Sequence, residues 1–207
     1  ENVAYTVSGK RIHIHIRATS AADSEHSCDR IHASISNITS RRHAELLRDG
    51  QRRVLESLAS SSSVENVLCT LTAELEQQSP YLRAAVFRTT SSGSALRLMA
   101  GASTAQELVT LFDSVRVGDL YSSDRRFSDI RLSPAKRDTR SGVQERRPPA
   151  VEEMISRAAG LCGYEYGVLK PAIGPGGQLL GILAVFRRES ETLTTHEEDV
   201  ISGFSHL

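Results

Sequence analysis

The sequence predicts an α/β (α+β) protein in which an antiparallel sheet is flanked by helices. Three observations carry that prediction. The first forty residues alternate with a period of two, residues 40–78 switch to helical spacing, and from residue 84 onward short apolar runs sit around glycine turns, separated by helical stretches. At 207 residues the chain is long enough for one full domain and a fragment, or for two small domains.

The first element is a hairpin. Val3, Tyr5 and Val7 alternate up to the turn at Ser8-Gly9. Ile12, Ile14 and Ile16 then share one face, with His13, His15 and Arg17 on the other. Residues 20–29 are small and polar and read as a loop. A third strand follows, with Ile31, Ala33, Ile35 and Asn37 on one side and His32, Ser34, Ser36 and Ile38 on the other. Three strands with one apolar face need a covering layer, and residues 1–39 form this first region.

Residues 40–62 form a linker helix. Arg41, Arg42, Glu45, Arg48, Arg52, Arg53 and Glu56 are solvent types, whereas Leu47, Val54 and Leu58 form a narrow seam flanked by Leu46 and Leu55. A helix with such a seam is marginal alone, so its expected partner is a second copy of the chain. Gly50 weakens it by about 1 kcal/mol relative to alanine.

Residues 63–207 hold the main domain. Ser63 caps a helix whose apolar stripe is Val64, Val67, Leu68, Leu71 and Leu75, and Pro80 ends it. Strands over 84–88 and 95–100 flank the turn at Ser91-Ser92-Gly93. Residues 104–115 are helical, with Leu108, Leu111, Phe112 and Val115 on one side. Residues 118–149 are poor in apolar groups and rich in arginine, and read as a long mobile loop. Pro148-Pro149 opens a helix to about Leu161, with Met154, Ile155, Ala158 and Ala159 inward. Strands over 166–173 and 179–186 are joined by Gly174-Pro175-Gly176-Gly177. Thr195-His196-Glu197-Glu198 reads as a capping box opening a last helix, with Val200, Ile201, Phe204 and Leu207 inward.

Composition excludes several function classes. Basic and acidic side chains number 25 each, so neither nucleic acid nor an anionic membrane is an expected partner. No apolar run reaches the roughly 18 residues of a membrane span. The chain begins at Glu1 and shows no signal peptide; its function is expected to belong to a longer cytoplasmic protein. Three scattered cysteines, Cys28, Cys69 and Cys162, form neither a disulfide framework nor a zinc motif.

The chemistry-bearing groups are sparse. His13 and His15 with His32 are the one metal-like set, and an exposed polar strand face is the simpler account. Ile173 to Gly177 lacks the lysine of a phosphate loop and joins two strands, so it is a hairpin turn. Arg125, Arg126, Arg131, Arg137 and Arg140 suit either a phosphate clamp or a solvated loop. Cys162, beside Tyr164 and Tyr166, reads as a structural thiol, as does Cys69 on its apolar stripe. No nucleophile–base grouping or carboxylate set suggests catalysis, and neither a metal nor a cofactor is expected.

The closing stretch carries a family resemblance. Pro171, the glycine turn, Leu180-Gly181-Ile182-Leu183 and the Thr/Glu-capped helix at 194–198 resemble the end of a GAF domain, and the likeness in element order covers about residues 41–207. Asn37-Ile38-Thr39 leading into Arg41-Arg42 resembles the Asp-Ile-Thr end of a PAS domain, making residues 1–39 similar to the last three strands of one. Asn stands in place of Asp, so the salt bridge that Asp often makes there is unavailable. The order of PAS end, linker helix and GAF is similar to the sensory region of bacterial GGDEF–EAL cyclic-di-GMP proteins of the direct-oxygen-sensor phosphodiesterase type, and also to that of sensor histidine kinases.

The resemblance implies a non-catalytic sensory and dimerisation module, working as a homodimer and acting on a C-terminal output domain of the same chain. A GAF pocket would lie between the sheet and residues 104–166, lined by Phe87, Met99, Phe112, Tyr121, Tyr164 and Tyr166. No bilin is implied, because Gly163 rather than His follows Cys162. The Asn-Lys pair of the cyclic-nucleotide GAF domains is missing, yet a small anionic ligand stays open as an alternative, as does a GAF-type redox enzyme.

Overall fold

The computed structural model describes residues 2–7, 9, 11–23, 27–60, 62–101, 105–120, 130–132, 151–188 and 193–206. The chain divides into two units, Glu1–Arg48 and Asp49–Leu207. The division falls inside a helix, nine residues beyond the first boundary expected from the sequence.

In the first unit β1 (Asn2–Tyr5), β2 (Arg11–Asp23) and β3 (Ser27–Asn37) form an antiparallel sheet in that order. Gly9 takes a φ of 80° and donates to the Thr6 carbonyl at 2.9 Å, closing the first turn. The expected loop at 20–29 is mostly strand. β2 and β3 stay paired through Ala21 opposite Arg30, and a register shift intervenes before Asp23 opposite Ser27. Ile16 lies opposite Ile35, so the isoleucine face exists as the alternation predicts; Ile31 and Ile35 on it are exposed.

Asn37 organises the end of this unit. Its Oδ1 accepts hydrogen bonds from the Thr39 amide at 3.0 Å and the Thr39 hydroxyl at 2.7 Å. The His13 amide donates to Thr39 Oγ1 at 2.9 Å, and the Ile38 amide donates to the His13 carbonyl at 2.9 Å. Asparagine thus fixes the start of α1 (Thr39–Ala59) by hydrogen bonds alone.

The second unit holds α2 (Val64–Gln78), β4 (Leu82–Thr89), β5 (Leu96–Ala100), α3 (Gln106–Ser114), β6 (Ile130–Leu132), α4 (Val151–Leu161), β7 (Tyr166–Ile173), β8 (Leu179–Arg187) and α5 (Thr195–Ser205). Its sheet runs β5-β4-β8-β7-β6, with every neighbouring pair antiparallel. A short 3-10 turn at Val117–Leu120 and the strand β6 both fall in the span expected to be loop. Ile130 and Leu132 supply the apolar alternation of β6, and among the described residues it pairs with β7, nearly forty residues away along the chain. The rest of that expected loop, Pro148-Pro149 included, lies outside the described residues.

The sheet is covered on both faces. Ala85, Phe87, Ile182, Ala184, Phe186 and Leu169 point to the side of α3 and α4, where Leu108, Phe112, Ile155 and Ala159 complete the core. Met154, expected inward, is 38% exposed on α4. Ala84, Val86, Leu183, Val185 and Val168 alternate with that set and face α2 and α5. On this side Leu75, Val200, Ile201 and Phe204 are buried.

Candidate functional site

Where the expected pocket falls on described residues, its aromatic side chains belong to the packed core. Phe87 and Phe112 are fully buried and stack with ring centroids 4.2 Å apart, and Tyr164 meets Phe186 at 5.3 Å. Each such ring contributes about 1.5–3 kcal/mol by leaving water, and a stacked pair adds about 0.5–1.5 kcal/mol. Phe87, Phe112 and Tyr164 therefore do come together, joined by Phe186, which the sequence reading did not single out.

The other three candidates fall elsewhere. Met99 sits at a bulge, where Val86 faces Ala100 and Phe87 faces Leu98; it is Leu98 that packs on the Phe87 side. Tyr166 precedes Gly167, which lies opposite Phe186, so alternation turns Tyr166 to the opposite face of the sheet with Val168 and Lys170. Tyr121 lies outside the described residues.

The dimer seam is also redistributed. Val54 is 2% exposed and buried within the second unit, Leu47 is half-buried, and Leu58 is 58% exposed. Val54 is thus an inward residue, and Leu55 and Leu58 are the apolar side chains of this helix open to solvent. What draws α1 inward is Gly50: a Cβ built there would meet the Phe204 ring at 3.0 Å and the Glu74 carboxylate at 3.3 Å. The missing side chain lets α1 approach α2 and α5 closely. Around it the Arg53 guanidinium donates to both Glu74 oxygens at 2.5 and 2.6 Å, and Gln51 Nε2 donates to the Gly203 carbonyl at 3.1 Å.

A second polar centre fixes the other end of α5. Glu197 and Arg187 are 4% and 3% exposed and pair at 3.5 Å. Glu197 Oε1 accepts from the Ser79 hydroxyl at 2.9 Å, and its Oε2 accepts from the Thr194 amide at 2.9 Å and hydroxyl at 3.0 Å. The capping box therefore runs from Thr194 to Glu197, one residue before the expected frame. Both frames satisfy the Thr-x-x-Glu pattern. Arg187 and Ser79 select Glu197 by giving its carboxylate buried partners that Glu198 lacks; Glu198 instead pairs with Arg131 at 3.1 Å in a solvated position.

The remaining groups have local roles. His32 lies opposite Thr19, four residues along β2 from His15, which is about 13 Å at roughly 3.3 Å per residue; the register does not gather the three histidines. The Gly177 amide donates to the Gly174 carbonyl and the Gly174 amide to the Gln178 carbonyl, each at 2.9 Å, so this turn is closed on its own backbone. Arg131 belongs to β6. Cys69 is exposed rather than on the inner stripe, and burial pushes the Cys162 thiol above its ordinary pKa, with the Glu107 charge acting in the same direction.

No protein-family model matches the sequence, and no curated protein matches it. Solved structures do. A phycoerythrobilin-bound GAF domain from a cyanobacterial phytochrome superposes with a TM-score of 0.56 at 17% identity, covering 79% of this chain and 94% of that one. The GAF domain of a phosphoenolpyruvate-protein phosphotransferase from Coxiella burnetii gives 0.50 at 20% identity, over 79% and 88% of the two chains. The fold is that of a GAF domain. Within that GAF fold the aromatic cluster lies on the α3/α4 side of the sheet, while Gly50 and Glu197 hold α1, α2 and α5 on the other. Among the described residues no helix is long and apolar enough to cross a membrane.

Proposed function

We propose that the chain is a sensory and dimerisation module of a bacterial cytoplasmic signalling protein, with no catalysis of its own, and that it regulates a cyclic-di-GMP cyclase or phosphodiesterase output domain. Residues 1–39 serve in this reading as the end of a PAS domain. The observation that carries it is the meeting of the first and last helices of the GAF unit at Gly50, Gln51, Gly203 and Phe204. A displacement of α1 has to move α5, because Gly50 lets α1 lean directly on the Phe204 ring and Gln51 ties it to the Gly203 carbonyl. Two arrangements of this contact, biased by a ligand or by an upstream signal, are all that a population shift requires.

The GAF fold and the wording of the closing stretch, Leu180-Gly181-Ile182-Leu183 followed by a capped helix, support the sensory reading. The bilins bound by the phytochrome GAF domains are not carried over, since Gly163 follows Cys162. Leu55 and Leu58 supply the exposed apolar residues through which two copies pair.

Sedimentation of the chain and of Leu58→Arg tests the pairing. The wild type is expected to be a dimer and the variant a monomer with unchanged circular dichroism; a monomeric wild type ends the proposal. Turnover of GTP, ATP or cyclic-di-GMP by the chain, abolished by a point mutation within it, would overturn the non-catalytic role. Thermal shift with a series of small anions identifies a ligand by mass action on the folded state.

A further inference from the structure

The face of the GAF sheet turned to α2 and α5 carries a groove of about 340 Å³. Val64, Leu68 and Leu71 of α2 form one wall and Phe204 of α5 the other, over a floor that includes Val86 and Leu183. Val64 and Leu180 are 64% and 48% exposed, so the mouth is open to solvent. Gly181 in the floor carries no side chain, and it lies so close to β4 that a Cβ would meet the Phe87 carbonyl oxygen.

Arg88 lines this groove, and the register sets Arg97 of β5 directly opposite Arg88. Alternation from Phe87 and Leu96, both in the α3/α4 core, puts the two arginines on the groove side of the sheet. Both are exposed. Like charges directly opposite on an antiparallel pair destabilise it, and among the described residues no acidic group pairs with either one. An arginine in the lining of an apolar groove, with a second arginine opposite it on the neighbouring strand, complements one ligand shape: an anionic head with a hydrocarbon tail.

We propose that this groove binds a free single-chain fatty carboxylate, its head held by Arg88 and Arg97 and its tail laid between α2 and α5. The volume lies at the lower end of the roughly 300–1,000 Å³ of small-molecule sites, which suits one chain. A second copy seated about a two-fold axis through the groove would bring four arginines to one contact, so charge disfavours it. The site is on the opposite side of the sheet from the Phe87–Phe112 stack, and it stands whether or not an output domain is regulated.

Isothermal titration with octanoate, decanoate and dodecanoate, each below its micelle concentration, tests the proposal. Affinity is expected to rise about tenfold per added pair of methylenes until the groove is full. Decanol, and decanoate on Arg88→Gln/Arg97→Gln, should each bind about tenfold or more weakly than decanoate on the wild type. Val64→Trp alters an exposed position and plugs the mouth, so it should abolish binding while circular dichroism stays unchanged. Absence of binding at millimolar dodecanoate, equal binding of decanol and decanoate, or indifference to both variants overturns the proposal. So does binding to anionic phospholipid vesicles without binding of free dodecanoate. A change in sedimentation on Val64→Trp with dodecanoate binding intact would assign the groove to a second copy instead.

Discussion

Glu197→Ala removes a side chain that is 4% exposed and serves three partners at once. Arg187, itself 3% exposed, loses its carboxylate at 3.5 Å, Ser79 loses its acceptor at 2.9 Å, and the Thr194 amide loses the reciprocal half of the capping box. Removing one member of a buried ion pair costs about 3–5 kcal/mol, because the remaining charge stays buried. The lost cap alone would cost about 1 kcal/mol, but both losses act through one carboxylate, so they do not simply add. A total of about 4 kcal/mol is a large share of the roughly 5–15 kcal/mol that holds a domain together. At about 2–4 °C per kcal/mol for a chain of this size, the melting temperature should fall by roughly 10 °C. Urea unfolding followed by circular dichroism measures it. The decisive comparison is Arg187→Met/Glu197→Leu, which removes both charges and should be more stable than Glu197→Ala. A loss under about 1 kcal/mol for the single variant, or a double variant no more stable than the single, would mean that the pair is solvated and the reasoning wrong.

Gly181→Ala forces a methyl group against the Phe87 carbonyl oxygen; prising β4 from β8 should cost about 1–3 kcal/mol or more, read in the same urea assay. Val54→Arg buries a charge and should unfold the second unit, whereas Leu58→Arg should leave its circular dichroism intact. Maleimide labelling followed by peptide mass analysis should modify exposed Cys69 well before Cys162, whose thiol is held protonated by burial. Burial also lowers the His196 pKa, against the attraction of Glu197 and Asp199. The unfolded chain then binds the proton first, so His196 makes stability fall as pH drops below the ordinary value of about 6.5 and level off once the folded group protonates. His196→Gln should flatten that part of a pH–stability curve.

Element type was legible wherever the period was clean, as in Ile12-Ile14-Ile16, in the Ser63-capped helix and in the paired strands around Gly174–Gly177. What the sequence withheld was partnership. β6 is three residues in a charge-rich span, and only pairing with β7 makes it a strand. The run Tyr166–Ile173 is apolar on both faces because the sheet is covered on both, so alternation could not say that Tyr166 turns away from Tyr164. The spacing of Leu47, Val54 and Leu58 fits a dimer seam and an inner face equally well. Gly50 looked like a local weakness of about 1 kcal/mol and is instead the contact that draws α1 against Phe204. The capping frame was ambiguous for the same reason: Glu197 is chosen by Arg187 at the end of β8 and by Ser79, 118 residues away in the chain.

The strand order β5-β4-β8-β7-β6 has a consequence for how the domain forms. Two local hairpins, β4–β5 and β7–β8, are joined edge to edge by the seam β4–β8, and β6 is added on the outer edge of β7. That seam pairs Phe87 with Ile182, roughly 95 residues away, a closure whose entropic cost must be met before any cross-hairpin contact is gained. The first unit, whose strands join through short turns, has no such step and should fold sooner. Until β8 emerges from the ribosome, β4 presents an open central edge with Ala84, Ala85, Val86 and Phe87 along it, a ready template for a foreign strand. Shortened versions that stop before β8 should therefore aggregate rather than yield a smaller soluble domain.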